Sequence, residues 1–522
     1  MDPAVSVEIE RKYDVVDGAA IPRIAGTHPI VHQDEPAVAE LSATYFDTDR
    51  ADLAAARIVL RQRVGGHDEG WHVKMPASMG RTEMHWPLGE IGTGVPTSIS
   101  DAVRVHVRDR ALRPIARLKT HRSTSTLRAA ADVPVAELCD DLVSAENLRD
   151  GQKREWREWE VELLVDAAES GMLPQELLDA IEGALVRGGA LPALSISKLA
   201  RAMGHDFAVY PAAPPSTSTA EAPVALAAMG SILRGLVADL KTQDPRVRRD
   251  DEDSVHALRV AVRRLRSVLR TYRTVLDRVT VESVRERLGA FGTMLGTARD
   301  SEVRRDGALT HLENSAAVDR TGLKRVVDRY ALAYAEAHVH IADILDSADY
   351  FRLLDDLDEL AGSPPAGKRA TGDAVAELQR GIRNDLRRLK SAADADERSE
   401  AKADIRLLLR HDVRRAARSL RYSAQAANGV DPKSFGVETL ALAALGRGIQ
   451  SELGEQRDSQ LFAALLRVET VDSYPRERKA LRQARKTEKE LSRTALVKYR
   501  KSRRSLTRLW ESQCIFQFGT MP

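Results

Sequence analysis

A chain of 522 residues is too long for one ordinary hydrophobic core and predicts two or three domains. Its 79 lysines and arginines nearly balance its 77 aspartates and glutamates, so any basic region is a local arrangement. At 4% aromatic residues the chain has few platforms for the base stacking that single-strand nucleic-acid binders use. Cys139 and Cys514 give neither a disulfide framework nor a metal-ligand spacing, which points to a reducing cytoplasm. Met1 to Tyr13 lacks the basic start and apolar stretch of a leader, and no run approaches the roughly 20 apolar residues of a membrane span. The sequence has no GxxxxGKS/T, HExxH or GxGxxG motif, so phosphate handling would need another design.

From the N-terminus, charged and apolar residues alternate between turn signals. This period predicts strands over Val5–Tyr13, Glu40–Asp47, Ile58–Val64, Trp71–Met75, Arg117–Leu127, Val133–Leu138 and Glu155–Leu164. Helical segments at Glu176–Arg187 and Ser197–Met203 make this half α+β. Glu8, Glu10 and Lys12 occupy alternate positions and share one face, as do Glu158, Glu160 and Glu162. Arg61 with Arg63, His72 with Lys74, and Arg81 with Glu83 repeat that spacing between them. If the strands close on one another, one interior surface carries both carboxylates and cations. Such a surface is costly unless something compensates it. Divalent cations on the glutamates and a chain of phosphates on the basic residues would compensate both. The alternative is a half-solvated sheet whose polar face is merely charged.

Pro211–Pro223 (PAAPPSTSTAEAP) reads as an extended linker. Beyond it, apolar residues fall at helical spacing, with breaks at Asp244-Pro245, Gly362–Gly372, Asn428–Pro432 and Tyr474-Pro475, which predicts an up-and-down all-α bundle. One motif occurs twice: His256, Arg259, Arg263, Leu265 and Arg266 return as His411, Arg414, Arg418, Leu420 and Arg421. Leu295, Gly296, Arg299 and Asp300 return as Leu453, Gly454, Arg457 and Asp458. The offsets, 411 − 256 = 155 and 453 − 295 = 158, keep order and separation together and indicate an internal duplication. At about 100° per residue each HxxRxxxRxxR set forms a stripe roughly 80° wide without a carboxylate among its own positions. Either it is a solvated arginine face or it suits densely spaced phosphates, which planar guanidinium forks recognise. Arg380, Arg383, Arg387 and Lys390 repeat the spacing, and Arg482, Arg485 and Lys489, then Lys498, Lys501 and Arg508, continue the basic theme without the histidine.

Glu8-Ile9-Glu10-Arg11-Lys12 resembles the ExExK signature of CYTH domains, the triphosphate tunnel metalloenzymes. The resemblance continues through Tyr45-Phe46-Asp47-Thr48, Arg61/Arg63, Lys74, Glu160/Glu162 and Ser197-Lys198. The two HxxRxxxRxLR and LGxxRD copies resemble a CHAD domain, a helical domain often fused to CYTH. The resemblance implies an eight-stranded antiparallel β-tunnel over residues 1–210, linker 211–223, and a helical domain over 224–510 with repeats at about 224–370 and 371–510. It implies Glu8, Glu10 and Lys12 as a catalytic set. Mg2+ or Mn2+ would lie on Glu8, Glu10, Asp141, Glu160 and Glu162, and a triphosphate on Arg61, Arg63, Lys74, Arg122 and Lys198. After Lys119 that strand should carry a cation two residues on, yet His121 stands there and Arg122 follows; either a bulge turns Arg122 inward or this wall is less basic.

For the helical half the resemblance implies inorganic polyphosphate held by His256, Arg259, Arg263, Arg266 and Arg299 and by His411, Arg414, Arg418, Arg421 and Arg457. The two histidines either meet phosphate or pack between helices. The leading expectation is a metal-dependent hydrolase of short phosphate chains, inorganic triphosphate first, cytoplasmic, with neither nucleic acid nor membrane as partner; the resemblance equally covers thiamine triphosphate, nucleoside triphosphates and cyclisation of ATP to cAMP. The alternative is a non-catalytic protein that binds polyphosphate at polyphosphate granules.

Overall fold

Period-two alternation builds the N-terminal unit as expected, with one strand that changes partner half-way. In the computed structural model, which describes residues 3–16, 18–77, 80–89, 94–164, 167–168, 171–195, 197–204, 224–315, 320–400, 402–475 and 477–511, β1 (Ala4–Glu8) and β2 (Glu10–Asp14) are separated by Ile9 alone. They are followed by β3 (His32–Gln33), β4 (Ala37–Asp47), α1 (Asp52–Ala55), β5 (Val59–Val64), β6 (Gly70–Pro76), β7 (Arg81–Trp86), α2 (Thr97–Val107), β8 (Arg113–Arg128), β9 (Pro134–Asn147), β10 (Lys153–Leu163), α3 (Pro174–Arg187), β11 (Leu191–Pro192) and α4 (Lys198–Met203). The antiparallel sheet runs β1-β7-β6-β5-β4-β8-β9-β10-β2-β11, with β3 on β8. Its hydrogen-bonded ladder is not a closed ring. The N-terminal strand pairs with β7 through β1 and with β10 through β2, so the chain at Ile9 joins the two walls. Counting β1 and β2 as one strand leaves eight long strands, with β3 and β11 as two-residue additions.

Helices α3 and α2 cover two stretches of the outer face, and the charged face lies inside. Trp159, Val161 and Leu163 of β10 and Tyr13 of β2 pack under Leu177, Leu178, Ile181 and Leu185 of α3. Phe46, Leu60, Trp71 and Val73 pack under Ile99, Ala102 and Val103 of α2. Each fully buried large apolar side chain contributes about 1.5–3 kcal/mol. On the inner side, Leu199 and Met203 of α4 pack with Leu118, Tyr45 and Trp156. Strand β7 and helix α2 are additional to the elements expected from sequence, although Met84 and Trp86 alternate and Ile99, Ala102 and Val103 stand at helical spacing.

The chain divides into two compact units, Met1–Ser218 and Thr219–Pro522. The expected linker 211–223 and Cys514 lie outside the described residues. The second unit is all-helical: α5 (Ala225–Arg248), α6 (Ser254–Thr271), α7 (Arg278–Glu313), α8 (Thr321–Leu345), α9 (Ala348–Gly362), α10 (Ala374–Arg398), α11 (Ala403–Val430), α12 (Pro432–Val471) and α13 (Arg478–Glu511). Asp244-Pro245 does not end its helix, contrary to expectation. Pro245 sits inside α5, and buried Asp244 accepts from Arg248 Nε at 2.7 Å and Tyr350 OH at 2.8 Å, which fastens the last turn. Among the described residues no helix is long and apolar enough to cross a membrane.

Candidate active site and basic cavity

The alternation in β2 sends Glu10 and Lys12 inward, while Arg11 turns out to Asp179 and Glu182 of α3. A cavity of about 210 Å³ results, and ten of the expected residues line it: Glu8, Glu10, Lys12, Arg61, Arg63, Lys74, Arg122, Glu160, Glu162 and Lys198. Lys198 owes its place to Ser197, whose Oγ accepts from Ala200 N at 3.1 Å and caps α4.

Two groups of acids divide the interior. In the first, Asp141, Glu158 and Glu160 are buried, with carboxylate oxygens all within 4.8 Å of one another. Cations fill their midst. Lys198 Nζ meets Asp141 at 2.9 Å, Glu158 at 2.7 Å and Glu160 at 2.5 Å. Arg122 forks onto Asp141 at 2.7 and 2.6 Å and reaches Glu160 at 2.7 Å. Lys12 donates to Glu160 and, at 2.6 Å, to Glu10. Burial alone would raise the Glu160 carboxyl, but Lys12, Lys198 and Arg122 hold it well below the usual carboxylate range. Burial opposes the charge of Glu10 too, and Lys12 outweighs it.

The second group is poorer in cations. Lys74 meets Glu8 at 2.5 Å and Glu83 at 3.5 Å, and His72 lies 2.7 Å from Glu83. Glu8 Oε2 is buried without a hydrogen-bond partner. Burial, reinforced by Glu8, pushes the Glu162 carboxyl up to about 7. Glu8 offers an unpaired carboxylate oxygen beside Glu162, donors of the kind a hard divalent cation takes, whereas the three acids whose oxygens converge within 4.8 Å among the described residues are Asp141, Glu158 and Glu160, which Lys198 and Arg122 already occupy. On the cationic wall, burial, Arg61 and Arg122 push the Arg63 guanidinium down to about 9, and Asp68 meets it at the cavity edge.

Arg122 turns inward without the expected bulge, and Lys119 does not join it, so this wall carries one cation where two were expected. Arg117, Lys119 and His121 are exposed, whereas Leu118, Thr120 and Arg122 are buried or half-buried. The register of β8 runs unbroken between Arg117 and Thr126, so Arg122 reaches the interior by plain alternation. Lys119, expected on the inner wall, faces outward. Glu158 was also overlooked as a site residue, although it stands in the same alternation as Glu160 and Glu162.

In the helical unit, a cavity of about 760 Å³ is lined by His256, Arg259, Arg263, Arg299, Arg414, Arg421 and Arg457. Arg266, Arg418 and His411 were expected with them but are not among the lining residues. Arg418 lies beside Arg263, and burial together with that neighbour pushes it down to about 10. The duplicated glycines have a steric role. Arg259 Nη1 donates to Gly296 O at 3.3 Å, and a Cβ on Gly296 would sit 3.2 Å from that nitrogen. Across the duplication a Cβ on Gly454 would sit 3.0 Å from Arg414 Nη2. The LGxxRD glycine therefore makes room for a guanidinium flat against the helix. Burial lowers both histidines, His256 with help from Arg299 and His411 with help from Arg415, so both are neutral near pH 7. His256 faces the cavity, while His411 is 42% exposed.

A CYTH domain is matched over residues 6–182 and a CHAD domain over residues 231–467. The uncharacterized proteins MT2285 and Rv2226 of Mycobacterium tuberculosis are each 33% identical over 477 residues, covering 88% of this chain and 87% of theirs. The chain belongs to the CYTH–CHAD family. Among solved structures, this CYTH–CHAD protein is similar to PptA from Streptomyces chartreusis (19% identity, TM-score 0.44, 54% of this chain and 99% of that one). It is also similar to the CHAD domain from the plant Ricinus communis (21% identity, TM-score 0.42, 54% and 92%). CYTH family members are metal-dependent phosphate hydrolases or cyclases acting on triphosphate-type substrates, and CHAD domains are linked to polyphosphate.

Proposed function

We propose that the CYTH unit is a divalent-metal-dependent hydrolase of short phosphate chains, inorganic triphosphate foremost, and that the CHAD unit binds inorganic polyphosphate. The supporting observation is the division of one cavity into a corner with an unpartnered buried carboxylate oxygen and a wall of fixed cations. A cavity of about 210 Å³ is smaller than the roughly 300–1,000 Å³ typical of sites for drug-sized ligands, which favours a bare phosphate chain over a nucleotide.

Glu8, Glu10 and Glu162 would hold Mg2+ or Mn2+, which supplies Lewis acidity and neutralises phosphate charge. Arg61, Arg63 and Lys74 bind the phosphate oxygens along one wall. Lys12, Arg122 and Lys198 do so from the other, already positioned by Asp141, Glu158 and Glu160. Because those carboxylates fix the cations beforehand, little reorganisation is left for the moment of phosphoryl transfer. The chain's task is to hold the phosphates in line and offset their charge.

The test is phosphate release from inorganic triphosphate, ATP, thiamine triphosphate and long polyphosphate with Mg2+, Mn2+ or chelator. It compares the intact chain with a Glu8→Ala, Glu10→Ala variant. Metal-dependent release from triphosphate that the variant lacks is the expected result. No turnover of any substrate, with polyphosphate still bound, would leave a non-catalytic polyphosphate-binding protein.

A further inference from the structure

The two copies of the CHAD motif are not electrostatically equal. Arg299 of the first copy is ion-paired to Asp253 at 3.2 Å and to buried Glu302 at 2.7 Å, and Arg259 lies 3.7 Å from Asp300. The offsets place Leu408 where the second copy would have Asp253 (253 + 155 = 408) and Gln460 where it would have Glu302 (302 + 158 = 460). Arg457 accordingly makes no ion pair among the described residues, and Arg414 has only the longer-range attraction of Asp458, the counterpart of Asp300. Both ends keep the aspartate of the motif, Asp300 and Asp458, but only the first-copy end adds ion pairs from Asp253 and Glu302, so the second-copy end is the more cationic.

Helix α12 leads away from the more cationic end. Gln460 is three residues beyond Arg457, about 60° round the helix, and with Arg467 it faces a groove against α13. This groove has a volume of about 420 Å³ and is also lined by Arg485, Lys489 and Arg493. At about 100° per residue, Arg482, Arg485, Lys486, Lys489 and Arg493 share a stripe roughly 100° wide and about 16 Å long. None of the five has an ion pair or hydrogen bond among the described residues, nor has Arg467. Of the nearby acids, Glu488 turns inward to His311 at 2.8 Å, and Glu490 falls past the edge of the stripe. Repulsion along a helix costs about 0.2–0.5 kcal/mol for each like-charged pair three or four residues apart. Among the described residues no ion pair offsets it.

We propose that the α12–α13 groove is a second polyphosphate subsite, entered by a chain that leaves the basic cavity past Arg457. The proposal rests on the reading of the CHAD unit as a polyphosphate binder. Phosphate without bases is the occupant that fits, because the groove is lined by cations, small residues and Gln460, with no aromatic ring to stack on.

The test uses the full chain in chelator, so that nothing is cleaved, with long polyphosphate titrated at several salt concentrations. It compares a groove variant (Arg485→Gln, Lys489→Gln, Arg493→Gln) with a cavity variant (Arg414→Gln, Arg457→Gln). The groove variant should bind long polyphosphate roughly tenfold more weakly, with a log-affinity against log-salt slope shallower by about 2. Wild-type affinity and slope in the groove variant would overturn the subsite. If the intact chain binds no polyphosphate, or the cavity variant binds as the intact chain does, the underlying reading of the CHAD unit fails instead. Single-stranded RNA that displaces polyphosphate, and that loses affinity in the same groove variant, would overturn the choice of occupant.

Discussion

Arg122 of β8 and Asp141 of β9 are register partners, and the guanidinium forks onto the carboxylate at 2.7 and 2.6 Å. Asp141 is fully buried and also meets Lys198. Replacing it by asparagine keeps the shape but leaves two cations short of one negative charge. Removing one partner of a buried pair costs about 3–5 kcal/mol, and Glu158 and Glu160 remain to share the load. Asp141→Asn should therefore lose about 3 kcal/mol, read as a lower urea midpoint at unchanged m-value. A loss within about 0.5 kcal/mol, the usual range for surface substitutions, would mean that the pair does not organise the interior.

The Glu8, Glu10 and Glu162 corner leads to a binding prediction independent of turnover. A ligand that binds only the folded state stabilises it, by about 2.7 kcal/mol at a hundred times its dissociation constant. Mg2+ or Mn2+ should raise the melting temperature of the intact chain, chelator should reverse this, and Glu8→Gln with Glu10→Gln should abolish it. An equal rise in that variant would place the ion elsewhere.

Much of this architecture was legible because strands and helices write their periods directly into sequence. The inward sets Glu8/Glu10/Lys12 and Glu158/Glu160/Glu162 follow from alternation alone, as does the arginine stripe of α6. What stayed hidden depends on contacts distant in sequence. Nothing local to β8 says whether Lys119 or Arg122 faces inward; α4 decides it by packing Leu199 against Leu118. The triad of Asp141, Glu158 and Glu160 is assembled from two strands and filled by Lys198 from a helix. The inequality of the CHAD copies rests on Asp253 and Glu302, which lie outside the repeated motif and so leave no trace in what the copies share.

His256 gives the CHAD unit a pH dependence of known sign. Arg299, Arg263, Arg259 and Asp253 surround it, and burial with the three cations lowers it below the ordinary histidine value of about 6.5. Protonation thus opposes folding, so this residue costs stability as pH falls below about 6.5, where the unfolded chain takes up the proton first. A bound polyanion reverses the preference, because phosphate oxygens favour the imidazolium. Polyphosphate affinity should rise as pH falls from 8 to 6, by about threefold per unit against a ceiling of tenfold for one proton. His256→Gln should flatten the dependence. The same slope in the variant would assign the proton to another group.

The glycines of the repeated motif separate stability from binding. Gly296 and Gly454 lie within helices, where alanine is better by roughly 0.5–1 kcal/mol. An added Cβ would stand 3.2 Å from Arg259 Nη1 and 3.0 Å from Arg414 Nη2, and these flexible side-chain ends can shift by a few tenths of an ångström. The fold should therefore tolerate alanine at both positions, with an unchanged or raised urea midpoint. Each guanidinium would leave its place against the helix backbone, however, and the cavity would lose the geometry that sets the cations side by side. Gly296→Ala with Gly454→Ala should weaken polyphosphate binding about fivefold, or about 1 kcal/mol, while the protein remains as stable as before. Unaltered affinity would mean that these glycines serve helix packing alone. A large loss of stability would mean that the arginines cannot move aside, and that the motif is a structural lock between α6 and α7 and between α11 and α12.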